Sequence, residues 1–229
     1  LQEIERAGGL VDAVRQGVVQ ARVDATRASR DEAIATRKMP MTGVTEFPNI
    51  ADDIAEGRTG APTAPAGDPS TAPFAPLRRH RYADPVEQQR RRADELAASS
   101  GRPTVFLAAI GSTASNAARV SFAKNLFEAG GIVAVVGDSA DDPTAIREAF
   151  EVSGAALVCL CASDPVYADR AVAVATELAA ASPARIYLAG RPRGMDVELA
   201  AAGVDEQIAV GVDIVSTLRT ALDTIGAPS

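Results

Sequence analysis

The chain has 229 residues, a formal net charge of -7, 47% hydrophobic and 4% aromatic residues, two cysteines and one histidine. An acidic balance of this size excludes a general nucleic-acid or anionic-membrane binder, because neutralising phosphate needs a basic surface. No run approaches the ~18 apolar residues of a membrane span, and no basic segment followed by an apolar core opens the chain, so a cytoplasmic, soluble protein is expected.

Residues 1–37 are helical in pattern, interrupted at Gly8-Gly9 and at Gly17, with Leu10, Val11 and Val14 expected on one apolar face. The stretch MPMTGVTEFPNI, Met39 to Ile50, reads as a short strand ended by Pro48. One helical region and one strand cannot build a core alone. Because the chain opens on Leu1 within patterned sequence, a piece of a longer protein is expected.

Arg58 to Pro76, RTGAPTAPAGDPSTAPFAP, has the composition of a linker or an extended strap. Leu77 to Ala98 then concentrates Arg78, Arg79, Arg81, Arg90, Arg91 and Arg92 around a helix started by Asp84-Pro85. A charge run is usually a wet face, so a solvated helix or docking strap is expected. His80 lies in this run without a local carboxylate, and no catalytic or metal role is expected of it.

From Thr104 onward the pattern becomes regular. Apolar runs at Val105 to Ile110, Ile132 to Val136, Ala155 to Cys161, Arg185 to Ala189 and Gln207 to Val210 alternate with helical segments. Asp142-Pro143 and Asp164-Pro165 mark helix starts; Gly130, Gly154 and Gly203 mark exits. The expected fold is α/β, a flavodoxin-like (βα)5 doubly wound parallel sheet of order 2-1-3-4-5, with any ligand at the carboxyl ends of the strands.

The first loop after a strand, Gly111-Ser112-Thr113-Ala114-Ser115-Asn116, is the first place to look for chemistry. It lacks the acidic residues of a phosphoacceptor site, the glycine of a tight phosphate loop and the G-x-G-x-x-G of a dinucleotide site. Its hydroxyls leave open a small-anion or cofactor site used by an enzyme or sensor. Cys159 and Cys161 share one strand face, too constrained to bridge each other, and read as core residues in a reducing compartment.

Ile4-Glu5-Arg6-Ala7-Gly8-Gly9, Gly43-Val44-Thr45-Glu46-Phe47, Ala118-Arg119-Val120 and Ala129-Gly130-Gly131 occur in an order that spans almost the whole chain. In these residues the chain resembles the methylmalonyl-CoA mutase family. The resemblance implies that residues 1–57 are the end of a (β/α)8 substrate barrel, that 58–103 are a Pro-rich and basic linker or strap, and that 104–229 are a domain of the cobalamin-binding type. Catalytic chains of that family carry D-x-H-x-x-G after the first strand, the His being the cobalt ligand, the Asp its orienting partner and the Gly making room for the nucleotide tail. The corresponding positions here are Ser112, Ala114 and Ala117, and neither Ala nor Ser replaces imidazole on cobalt. The S-x-L after the third strand is replaced by Cys159-Leu160-Cys161, and the Gly-Gly after the fourth by Ala189-Gly190, followed by Arg191. What the resemblance implies is thus the small, non-catalytic type of subunit of a heterodimeric mutase. No cofactor or metal is expected in this chain, adenosylcobalamin is expected in the large partner subunit, and the basic strap is expected to dock on that partner.

Overall fold

The computed structural model describes residues 1–51 and 80–227. The Pro-rich stretch from Arg58 to Pro76 lies outside the described residues. Three helices open the chain, α1 (Gln2–Arg6), α2 (Leu10–Arg15) and α3 (Val18–Ala35), with the breaks at the expected glycines. Gly9 at φ 106 and Gly17 at φ 78 allow the chain to turn sharply there, because L side chains avoid these angles. The apolar face expected of α2 is reversed: Leu10 and Val11 are exposed, while Ala13 is fully buried.

The strand expected over Met39 to Ile50 does not form. A single bridge joins Thr42 to Glu46 around a turn, in which the buried Thr45 hydroxyl accepts the Met41 N–H at 2.9 Å. A β-strand needs a neighbouring ladder, and this segment packs on a helix instead.

Helix α4 (Asp84–Ser100) follows, with Pro85 in its first turn as expected. Asp84 is not its cap, since the N-cap position is Ala83 and the Asp84 carboxylate takes the Arg81 N–H. Nor is the helix a solvated strap. Val86, Gln89, Arg92 and Ala93 are buried, and the helix packs against the last helix of its own chain.

The remainder alternates strand and helix: β1 (Thr104–Ala109), α5 (Thr113–Ala129), β2 (Val133–Val136), α6 (Pro143–Ser153), β3 (Leu157–Cys161), α7 (Asp164–Ala180), β4 (Arg185–Ala189), α8 (Asp196–Ala201), β5 (Glu206–Ile208) and α9 (Ile214–Thr224). The strands form one parallel sheet of order β2-β1-β3-β4-β5, the expected doubly wound, flavodoxin-like arrangement. Each strand buries alternate residues on opposite faces. Val105, Leu107, Cys159, Cys161, Tyr187 and Ala189 meet α4, α5 and α9. Phe106, Ala108, Val158, Leu160, Ile186 and Leu188 meet α6, α7 and α8.

Asp142 and Asp213 cap α6 and α9, accepting the N–H groups of Ala145 at 3.3 Å and Ser216 at 3.0 Å. Gly130 is needed for a different reason. A Cβ there would stand 2.5 Å from a Leu218 methyl carbon, so the end of α5 lies directly on α9. Among the described residues no helix is long and apolar enough to cross a membrane.

Candidate functional site

In an open parallel sheet the ligand crevice lies at the carboxyl ends of the strands where the order reverses, here between β1 and β3. Helix α5 leaves β1 on one face and α7 leaves β3 on the other, so their first turns flank that point.

The expected loop stands on the rim. Ser112, Ala114 and Ala117 are exposed, and Ser112 occupies the N-cap of α5 with an extended φ of -74 and ψ of 155, without a side-chain capping bond. Its hydroxyl donates instead to Ser115 Oγ at 3.3 Å, while Ser115 Oγ donates to the Ser112 carbonyl at 2.7 Å. Thr113 Oγ1 lies 3.3 Å from Ser139 Oγ, which also takes a 3.0 Å bond from the buried Asn116 amide. These hydroxyls bind one another and the backbone. The donor set contains no imidazole, and the chain's single histidine is elsewhere: His80 Nε2 is 2.7 Å from Asp31 Oδ1 of α3. The carboxylate that His80 meets is not a local one, since Asp31 is 49 residues away in sequence. Among the described residues no group of three or more His, Cys, Asp or Glu side chains could hold a metal ion.

Cys159 and Cys161 are fully buried and unbridged, with the Cys161 thiol 3.6 Å from the Cys159 carbonyl. Burial pushes the Cys159 thiol well above its ordinary value, with the adjacent Cys161 adding to the effect, so it is held as the neutral thiol. Gly190 ends β4 at φ 130, with its N–H on the Ile208 carbonyl at 2.7 Å.

At the crevice, the sequence showed Arg119 only as part of Ala118-Arg119-Val120, and Val166 and Tyr167 went unnoticed. Arg119 reaches from α5 over Gly190 and pairs with Asp164, Nη2 to Oδ1 3.0 Å. Asp164 is therefore a counter-ion, and Ser163 takes the N-cap position expected of it. Two residues on, Val166 packs on the far side of the loop, where a Cβ on Gly111 would be 3.5 Å from both its methyl carbons. Tyr167 is buried beneath. Its hydroxyl accepts the Ala162 N–H at 2.9 Å and directs its proton at the carbonyls of Leu160, 2.9 Å, and Ala189, 2.8 Å, joining the ends of β3 and β4. Burial raises this phenol well above its ordinary range, and the Arg119 charge opposes that slightly. Arg191, which follows Gly190, is exposed. A D-P-V-Y turn after an apolar run, two helices away from a lone arginine, carries no recognisable motif.

A separate groove of about 710 Å3 runs along the outer side of α5, between Phe47 and Pro48 and the loop after β5 at Val210 and Val212. It shares Ala118 with the loop region but none of the expected site residues.

The family model described as methylmalonyl-CoA mutase matches residues 1–127. A Streptomyces virginiae protein named methylmalonyl-CoA mutase small subunit is 42% identical over 226 residues, covering 98% of this chain and 34% of its own length. Proteins of the same name from Propionibacterium freudenreichii subsp. shermanii and Porphyromonas gingivalis are 35% and 28% identical over 98% and 97% of this chain. The chain thus spans about a third of the length of the curated relatives it matches, 34% for the first two. With more than half of its residues under the family model and its crevice that of the expected doubly wound sheet, the chain belongs to the methylmalonyl-CoA mutase family.

Proposed function

We propose that the chain is the C-terminal part of the small, non-catalytic subunit of a heterodimeric methylmalonyl-CoA mutase. In this reading a large partner subunit binds adenosylcobalamin and converts methylmalonyl-CoA to succinyl-CoA, and the present chain contributes structure rather than chemistry. Residues 1–57 are then the end of the substrate barrel, 58–103 a linker or strap whose helix α4 packs on α9, and 104–229 a domain of the cobalamin-binding type that keeps the architecture without the cofactor. A cytoplasmic heterodimer follows from the same reading.

The observation that carries it is Ala114. It stands on the rim where a cobalt ligand is needed, and its methyl group offers no lone pair. The buried thiols Cys159 and Cys161 face the packed core. The residues present do not fit a corrinoid, and no reaction step runs through one here. Support for the subunit assignment comes from the names of the relatives.

The test has two arms. The chain is incubated with hydroxocobalamin, gel-filtered, and examined by visible spectroscopy and, after reduction, electron paramagnetic resonance; no retained corrinoid and no imidazole nitrogen on cobalt is the expected result. His80→Ala controls for adventitious ligation. Co-purification of a full-length protein with a larger mutase chain supports the partnership, and a corrinoid held by this chain alone overturns the reading.

A further inference from the structure

The carboxyl rim from the switch point across the ends of β3 and β4 is filled by the chain's own side chains. Arg119 projects from the second turn of α5, on one face of the sheet, and Asp164 opens α7 on the other. Their 3.0 Å contact crosses the carboxyl rim. The guanidinium lies on Gly190, where a Cβ would be 2.9 Å from Arg119 Cζ, 3.1 Å from Nη2 and 3.2 Å from Nε. Three nearly equal distances describe a plane resting face-on over the glycine, a flat stacking contact that a guanidinium makes and a tetrahedral ammonium cannot reproduce. Tyr167 seals the strand ends below, and Val166 closes against Gly111 at the side. One turn, Asp164 to Tyr167, therefore supplies the counter-ion, the wedge and the seal.

The geometry points to Arg119 as a resident cation that occupies the crevice in place of a ligand, locked over Gly190 by Asp164. The chemistry this position accepts is a planar, guanidinium-type cation, and the chain supplies it from α5. Any other group entering between the ends of β3 and β4 must first break this ion pair. The inference deepens the reading that the chain keeps no corrinoid, and it stands on geometry of its own.

Arg119→Ala removes the cation while keeping a strong helix former in α5. The thermal midpoint of the chain is expected to fall by a few degrees. Guanidinium chloride, at millimolar concentrations too low to denature, is expected to recover at least half of the fall, and sodium chloride of equal ionic strength none. Asp164→Asn added to Arg119→Ala is expected to abolish the recovery, and Arg119→Lys to show a smaller fall that guanidinium does not reverse. An unchanged midpoint in Arg119→Ala, or equal recovery by both salts, overturns the inference. Should Arg119→Ala fail to fold, Asp164→Asn in the otherwise native chain decides it: the Arg119 Nε–H must exchange several-fold faster by nuclear magnetic resonance, and an unchanged rate overturns the inference. No corrinoid enters this experiment, so its failure removes the resident cation and leaves the subunit assignment intact. Corrinoid uptake by the native chain removes the subunit assignment whatever guanidinium does.

Discussion

Arg92 in α4 donates from Nη2 to the Asp223 carboxylate near the end of α9, at 2.5 Å, and to the Ala227 carbonyl at 3.3 Å. The arginine is buried, with an 8% exposed side chain, whereas its partner is 59% exposed. A cation from the basic run thus meets the carbonyl end of a helix, where the backbone dipole favours it.

This arrangement predicts an asymmetric response. Arg92→Ala should cost about 1–3 kcal/mol, because Gln89 and the Ala227 carbonyl lose a charged donor as well. Asp223→Asn, at the exposed end, should cost less than about 1 kcal/mol. Urea unfolding of both variants checks the ordering, and amide exchange in the isolated chain should find α4 protected without any partner.

Phe47 is 79% exposed at φ 51, in the left-handed region that an L side chain enters at a cost. Asn125 of α5 holds it there, accepting the Phe47 N–H at 2.8 Å while its amide donates to Glu46 Oε2. Phe47→Gly should therefore leave stability unchanged or raise it by up to about 1 kcal/mol, since little burial is lost and strain is relieved. Asn125→Ala should release the turn, seen as faster exchange of the Phe47 amide.

Tyr167→Phe removes a hydroxyl that serves one buried N–H and two carbonyls. The ring still fits, so the loss isolates the polar contacts. A destabilisation of about 1–3 kcal/mol is expected from the unsatisfied backbone groups, read as a lower urea midpoint at unchanged slope.

Alkali should unfold the domain. Cys159, Tyr167 and Tyr187 are buried as neutral groups whose ionisation is pushed above the ordinary values of 9.0 for the thiol and 10.0 for the phenols, burial being the main cause in each. Above those values the unfolded chain binds fewer protons than the folded one, so stability falls as pH rises, by up to ~1.4 kcal/mol per pH unit per group. Below pH 9.0 the contribution of these groups is complete and the profile should be flat in them. Urea midpoints followed into alkali check this, and Tyr167→Phe should make the decline shallower.

Installing Asp, His and Gly as Ser112→Asp, Ala114→His and Ala117→Gly should not yield submicromolar cobalamin affinity. The buried Cys161 and the Arg119 guanidinium over Gly190 are untouched by those changes. Tight binding by the triple variant would show a usable channel behind the loop.

The sheet was legible because burial on both faces leaves unmistakable apolar runs; β1 and β3 appear within two residues of their expected limits. The cap residue Asp142, marked by the Pro143 that follows it, is a local signal and was equally readable. Tertiary pairings were not. Whether Asp164 caps a helix or faces an arginine depends on α5 lying across the rim, and whether α4 is wet depends on α9, contacts that no local window contains. The Met39 to Ile50 stretch misled because a strand pattern needs a partner strand, and its own polar groups were satisfied by a turn and by Asn125. At the site, the missing imidazole at Ala114 was legible as an identity, while Val166 and Tyr167 came from positions with no motif and the pairing of Arg119 with Asp164 lies outside its own Ala118-Arg119-Val120 motif.

Tyr167 changes where this sheet is expected to breathe. In doubly wound folds the carboxyl edge carries the loops that open and close, and the amino edge is the anchor. Here a single phenol stitches the last peptide groups of β3 and β4 to α7 at that edge. The carboxyl edge is thereby made an anchor as well: the amides of Ala162 and Gly190 should open only with the whole domain, as should the amino edge, where Asp205 Oδ2 accepts the Ile186 N–H at 2.7 Å.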